Sequence, residues 1–110
     1  MSIPTITIDQ LPNPLPEGLA VLDVREEMEW VNGHIEGATH IPLSTVPVRT
    51  ADLPDGQILV VCKVGGRSAQ ATMWLAANGY EVVNLDGGML DWAAAGRPMV
   101  SENGGTPQVV

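Results

Sequence analysis

Short apolar runs alternate with stretches of helical spacing along this chain. Ile3, Ile6 and Ile8 are set among polar threonines, and the apolar–polar alternation, strict over Thr5-Ile6-Thr7-Ile8, predicts a short edge strand over residues 3–8. Pro12, Pro14 and Pro16 then enforce a loop. Leu19-Ala20-Val21-Leu22 is a continuous apolar run, the pattern of a strand buried on both faces, and it ends at Asp23-Val24-Arg25. Residues 26–31 allow one or two helical turns, with Met28, Trp30 and Val31 available for packing. Gly33 and Gly37 bracket a loop that carries His34, and residues 39–43 predict another short strand limited by Pro42. Residues 46–53 form a weak helical pattern interrupted by Pro47, and Pro54-Asp55-Gly56 is a turn.

Residues 58–61, Ile-Leu-Val-Val, are the most apolar strand. The clearest helix follows it: Ala69, Thr72, Met73 and Ala76 recur at helical spacing, Leu75 adds bulk, Ser68 lies near the start, and Asn78-Gly79 is a stop signal. Residues 80–85 predict a further strand. Asp86-Gly87-Gly88 turns into a short helix over residues 89–95, closed by Gly96 and Pro98. Strands alternating with helices predict an α/β domain built on a mainly parallel sheet, spanning residues 1–100. Residues 101–110, rich in Gly and Pro and without periodicity, read as a flexible C-terminal tail.

A chain of 110 residues, 45% apolar, is one domain with material for one core; without Phe, that core is built from Val, Ile, Leu, Ala and Met. The formal net charge of −8 argues against nucleic acid or an anionic membrane surface as a partner. No segment approaches transmembrane length, and the N-terminus lacks the basic and apolar regions of a signal peptide. One cysteine forms no internal disulfide, so the fold needs no oxidising compartment, and the cytoplasm is the expected location.

Charge changes the picture most around that cysteine. Of the chain's five cations, Lys63 and Arg67 lie in the run Cys62-Lys63-Val64-Gly65-Gly66-Arg67, followed by Ser68. A strand that ends in a thiol, then a glycine-hinged loop, then a helix start describes an anion cradle around a nucleophile, at the strand end where ligands bind in parallel sheets. A free thiol titrates near ~8.5; helix N-terminal amides and nearby cations favour its thiolate. Gly65 and Gly66 let successive amides turn inward. Lys63 and Arg67 can contact the oxygens of an anionic substrate; Arg67 can equally hold the loop through a carboxylate such as Asp23. His34 and His40 form no motif with Cys62, which weakens a Cys–His protease reading. One Cys and two scattered His lack the spacing of a metal site. A thiolate in an amide cradle without a general base suits transfer of a sulfane sulfur, with no cofactor or metal required.

Three stretches carry a family resemblance: Asp23-Val24-Arg25 with Glu29 and Gly33-His34-Ile35-Glu36-Gly37-Ala38 through Ile41-Pro42; Cys62 to Ser68; and Gly87-Gly88-Met89 with Trp92, Gly96 and Pro98. In this order the chain resembles a single-domain rhodanese, a thiosulfate sulfurtransferase-like protein. The resemblance implies a three-layer fold, about five mostly parallel strands with helices on both faces. It implies Cys62 as the sulfur-carrying nucleophile, Lys63, Val64, Gly65, Gly66, Arg67 and Ser68 as its cradle, and Asp23 and Arg25 as braces of the active-site loops. A cation at the position of Lys63 suits an anionic donor. Phosphatases of similar fold carry one more residue in this loop; here four residues separate Cys62 from Arg67, a tighter bowl suited to one sulfur atom rather than a phosphoryl group.

The expected activity is movement of a sulfane sulfur from thiosulfate or a similar small anionic donor to a thiol, protein or cyanide acceptor through a persulfide on Cys62. Two alternatives stay open: a persulfide relay to a sulfur-carrier or thioredoxin-like protein, and a non-catalytic binding module of the same fold. His34 is expected to make a structural hydrogen bond, Trp30, Trp74 and Trp92 to pack, and Glu26, Glu27 and Glu29 to form a solvated acidic face, although Glu29 matches a family position that anchors the adjoining loop.

Overall fold

The computed structural model describes residues 3–110. Five strands, β1 (Thr5–Ile6), β2 (Leu19–Asp23), β3 (Thr39–His40), β4 (Gln57–Val61) and β5 (Val82–Leu85), form one sheet in the order β1-β5-β4-β2-β3. Every neighbouring pair runs parallel. Three helices, α1 (Glu27–Asn32), α2 (Gly66–Ala77) and α3 (Gly88–Ala94), complete an α/β domain.

The central strand shows why the sequence folds this way. Residues 58–61 are apolar without interruption because both faces of β4 are covered. Ile58 and Val60 join the cluster that contains Leu22, Ala71 and Leu75, on the α2 side. Leu59 and Val61 join the cluster that contains Val21, Met89 and Trp92, on the α3 side. All four are at most 1% exposed. Each such burial is worth about 1.5–3 kcal/mol relative to an exposed side chain, which makes β4 the spine of both half-cores.

Several elements differ from the sequence pattern. β1 is only Thr5–Ile6, and the chain turns into a 3-10 segment at Ile8–Gln10. β3 stops at His40, ahead of Pro42. Residues 46–53 hold no α-helix: two 3-10 segments, Leu43–Val48 and Thr50–Asp52, take their place, with Pro47 inside the first. Proline has no N–H to donate to the fourth residue back, so an α-helix cannot run through it without loss. In α2 the buried face is Ser68, Ala71, Thr72 and Leu75, whereas Met73 is 51% exposed. The expected apolar face was therefore partly misplaced around the helix. Small polar residues take core positions because their hydroxyls are satisfied; Thr72 Oγ1 donates to Ser68 O at 2.7 Å.

Residues 101–110 have no regular structure but lie along the C-terminal end of α1. His34 and Val100 exchange two backbone hydrogen bonds at 2.8 Å, Glu102 N donates to Val31 O, and Gln108 N donates to Asn32 O. Val109 packs against the α3-side core.

The parallel register aligns the strand ends. Ile6 faces Leu85, and Asp23 faces both Val61 and His40, so the loops after β2, β3, β4 and β5 emerge on one edge of the sheet. No helix of the described residues is long and apolar enough to cross a membrane.

Candidate active site

Cys62 follows the last residue of β4, and the chain needs only three residues to reach the start of α2 at Gly66. Gly65 makes the sharp return with φ +110°, in the left-handed region that glycine adopts without a Cβ penalty. Its backbone is pressed against the next loop: a Cβ there would lie 3.2 Å from Gly87 N. Gly88 is tighter still. It has φ +53°, and a Cβ would meet Lys63 O at 2.7 Å and overlap Cys62 O. That proximity lets the first amides of α3 fasten the cysteine loop, Met89 N donating to Cys62 O at 2.8 Å and Leu90 N to Lys63 O at 3.0 Å. The Gly87-Gly88 pair and the cysteine loop are thus two halves of one structure.

The thiol has no exposed surface. Gly65 N donates to Sγ at 3.1 Å, and Ser68 Oγ lies 3.3 Å from it. Burial by itself pushes the Cys62 thiol up, but hydrogen bonds from the Ser68 hydroxyl and from the amides of Ser68, Gly65 and Val64 outweigh it and hold the thiol below its ordinary range. Of residues 63–68, Val64, Gly65 and Ser68 supply these donors. Gly66 has open space around its Cα, so the loop does not depend on it sterically. Lys63 is half-buried, and Val64 is exposed at the loop tip.

Arg67 takes one of the two roles the sequence allows it, holding a carboxylate. Both terminal nitrogens donate to Glu29, Nη1 to Oε1 at 2.7 Å and Nη2 to Oε2 at 2.9 Å. The carboxylate partner is Glu29, not Asp23. Glu29 accordingly leaves the solvated acidic face and takes the loop-anchoring place also expected of it: it is buried, while Glu26 and Glu27 stay exposed. The Arg67 hydrogen bonds outweigh the cost of burial and hold the Glu29 carboxyl below its ordinary value of 4.5. Asp23 is occupied by Arg25, whose Nε and Nη2 both donate to it, the shortest contact being 2.7 Å. Arg25 is fully buried and also donates to Gly33 O at 2.7 Å, which ties the end of β2 to the His34 loop. Among the described residues its Nη1 is buried without a partner.

Neither histidine reaches the thiol. His34 Nδ1 lies 2.9 Å from Trp30 O and His40 Nε2 lies 2.7 Å from Arg25 O; a carbonyl only accepts, so each of these nitrogens carries the proton. Both rings stack on Trp30, at centroid distances of 3.5 and 4.8 Å. Trp92 is buried and its indole donates to Pro98 O.

Asn84 escaped the sequence reading. It is 4% exposed and lies 2.6 Å from Ser68 Oγ, one step behind the sulfur. The signal was available: an amide interrupting the apolar run Val82-Val83-Asn84-Leu85 in a strand buried on both faces requires a polar partner. Among the described residues no group of three or more His, Cys, Asp or Glu side chains is arranged to hold a metal ion.

The chain is similar to known proteins over most of its length. The family described as Rhodanese-like domain matches residues 7–95. A sulfurtransferase of Allochromatium vinosum is 36% identical over 90 residues, covering 80% of this chain and 84% of its own length. The thiosulfate sulfurtransferase GlpE of Pseudomonas entomophila is 40% identical over 79 residues, 69% of this chain and 72% of that protein. The crystal structure of a rhodanese-related protein from Thermoplasma volcanium superposes with a TM-score of 0.81 at 33% identity, covering 88% of this chain and 97% of the other. With a closed cysteine loop on the carboxyl edge of a five-stranded parallel sheet and matches across most of its length, the chain belongs to the rhodanese-like domain family.

Proposed function

We propose that this chain is a sulfurtransferase that takes a sulfane sulfur from a small anionic donor, thiosulfate or a close analogue, onto Cys62 and passes it to a thiol acceptor. The observation that carries this reading is the enclosed thiol ringed by hydrogen-bond donors. The thiolate of Cys62 attacks the outer sulfur of the donor. A new S–S bond forms, the donor's own S–S bond breaks, and its electron pair leaves with sulfite. The persulfide so formed carries one negative charge on its outer sulfur, and the loop amides face that charge. An acceptor thiolate then attacks the outer sulfur, takes it away as a new persulfide and returns Cys62 as thiolate; cyanide acting as acceptor leaves as thiocyanate. No step calls for a general base, in keeping with histidines turned to backbone carbonyls.

Lys63 attracts the donor's sulfonate oxygens. Arg67, bound to Glu29, holds the loop rather than the donor. Asp23 and Arg25 brace the floor. A fully enclosed thiol is approached by a slim terminal sulfur, or after the loop tip shifts; a bulky phosphoryl group is excluded. The reading is supported by relatives named sulfurtransferase and thiosulfate sulfurtransferase. Its test is sulfite release from thiosulfate with a small thiol as acceptor. Turnover abolished in Cys62→Ser upholds it; robust hydrolysis of an aryl phosphate, lost in the same variant, overturns it in favour of phosphatase chemistry.

A further inference from the structure

Ser68 Oγ faces three acceptors and owns one proton. Asn84 Oδ1 lies at 2.6 Å, Gly65 O at 3.2 Å and Cys62 Sγ at 3.3 Å. A hydroxyl donates once at a time, and as the amide is oriented the shortest contact takes the proton. The sulfur is then left with backbone donors alone, an arrangement suited to a thiol, which can itself donate to Ser68 Oγ. A sulfur anion needs the hydroxyl proton for itself.

The side-chain amide of Asn84 resolves the conflict. Its oxygen and nitrogen occupy equivalent places, so a half-turn about the last torsion presents Nδ2–H to Ser68 where Oδ1 now stands, with no change of shape. Among the described residues Nδ2 makes no hydrogen bond that would pin it. After the half-turn, Nδ2–H donates to Ser68 Oγ and the hydroxyl donates to sulfur. We propose that Asn84 is a positioning residue whose amide orientation follows the charge on Cys62, releasing the Ser68 hydroxyl to the thiolate and withdrawing it from the thiol. This deepens the sulfurtransferase reading and rests on it, but it concerns the resting thiol and is measurable without any sulfur donor.

The charges around the sulfur are Lys63 and Arg67 on its own loop and helix, Glu29 on α1, the Asp23–Arg25 pair at the end of β2, and Asp86 and Asp91 at the β5–α3 turn. Neutral substitutions at positions 68 and 84 leave all of them in place. The test is the pH midpoint of Cys62 ionisation, followed by the ultraviolet absorbance of the thiolate with Cys62→Ser as the blank, which needs no reagent to reach the enclosed sulfur. Ser68→Ala raises it by about one unit, a charge-assisted hydrogen bond lost, whereas Asn84→Leu, equal in shape but offering neither a donor nor a competing acceptor, leaves the hydroxyl with the sulfur and does not raise it by a comparable amount. The double variant is no higher than Ser68→Ala alone, because Asn84 acts through the hydroxyl. A midpoint unmoved in Ser68→Ala, or one lowered by about a unit in Asn84→Leu because the amide had held the hydroxyl in both charge states, overturns the proposal. In the unsubstituted protein, the Asn84 side-chain amide resonances shift with the Cys62 titration and lose that transition in Cys62→Ser. Resonances that do not titrate overturn it without recourse to a variant at position 84. A failure of sulfur uptake with these results intact counts against the sulfurtransferase reading alone.

Discussion

Arg67 and Glu29, 38 residues apart in sequence, meet in a two-pronged ion pair at 2.7 and 2.9 Å. Glu29 Oε1 also accepts the Glu26 amide at 3.1 Å, so one carboxylate closes the first turn of α1 and clamps the first turn of α2. The folded protein keeps Glu29 ionised to lower pH than the unfolded chain does, because its carboxyl is held below the ordinary value of 4.5. The pair therefore contributes stability above that value, and the contribution disappears as pH falls through the lowered one. Arg67 is about a third exposed, which limits the gain. Glu29→Gln is expected to cost about 1 kcal/mol at neutral pH and to lose part of the acid limb of stability, measured by urea unfolding over a pH series. An acid limb unchanged in that variant contradicts the assignment.

The pair at the end of β2 differs in kind. Asp23 and Arg25 are 1% and 0% exposed, so removing one partner strands a buried charge. Asp23→Ala is expected to cost about 3–5 kcal/mol, whereas Asp23→Ala with Arg25→Met recovers much of the loss because no charge remains buried. Denaturation midpoints of the two single variants and the double variant test this; a double variant as unstable as the sum of the singles contradicts it.

Three glycines around the thiol are not equivalent. An alanine at Gly65 or Gly88 combines a positive φ with a close backbone neighbour, and at Gly88 it displaces the carbonyls that fasten the cysteine loop. Gly65→Ala and Gly88→Ala are expected to cost about 1–3 kcal/mol in strain and to depress sulfur uptake. Gly66→Ala meets nothing within 4 Å and is expected to be neutral or to stabilise by about 0.4–1 kcal/mol. Thermal unfolding ranks the three.

Among the described residues Lys63 is the loop cation without a carboxylate partner, since Arg67 is paired with Glu29. Lys63→Gln is expected to raise KM for thiosulfate roughly fivefold, the equivalent of about 1 kcal/mol for one partly exposed charge, with kcat little changed. Added salt weakens donor binding to the parent protein more than to the variant. Initial-rate kinetics at low and moderate ionic strength decide it.

Much of this arrangement was legible in the residues. The four-residue apolar run before Cys62 marked the central strand because a strand covered on both faces has no polar side to show. The glycines after it marked the loop because their backbone needs no Cβ. The partner of Arg67 was not legible as an ion pair: Asp23 and Glu29 are both acids near the right loop, and only the folded chain, which brings the first turn of α1 to Arg67 while Arg25 occupies Asp23, selects Glu29. The buried face of α2 was blurred because Ala, Ser and Thr carry weak hydrophobic contrast, so Met73 looked inward while Ser68 and Thr72 held the core positions. Asn84 was passed over because a single amide within an apolar strand has meaning only once its neighbour is known.

The central claim is that Cys62 carries sulfur. Incubation of the reduced protein with thiosulfate, followed by intact-mass measurement, tests it most directly. The account predicts a gain of one sulfur on Cys62, absent in Cys62→Ser and removed by cyanide. A protein that gains no sulfur from thiosulfate or from any small persulfide donor, or that gains it equally without Cys62, contradicts it.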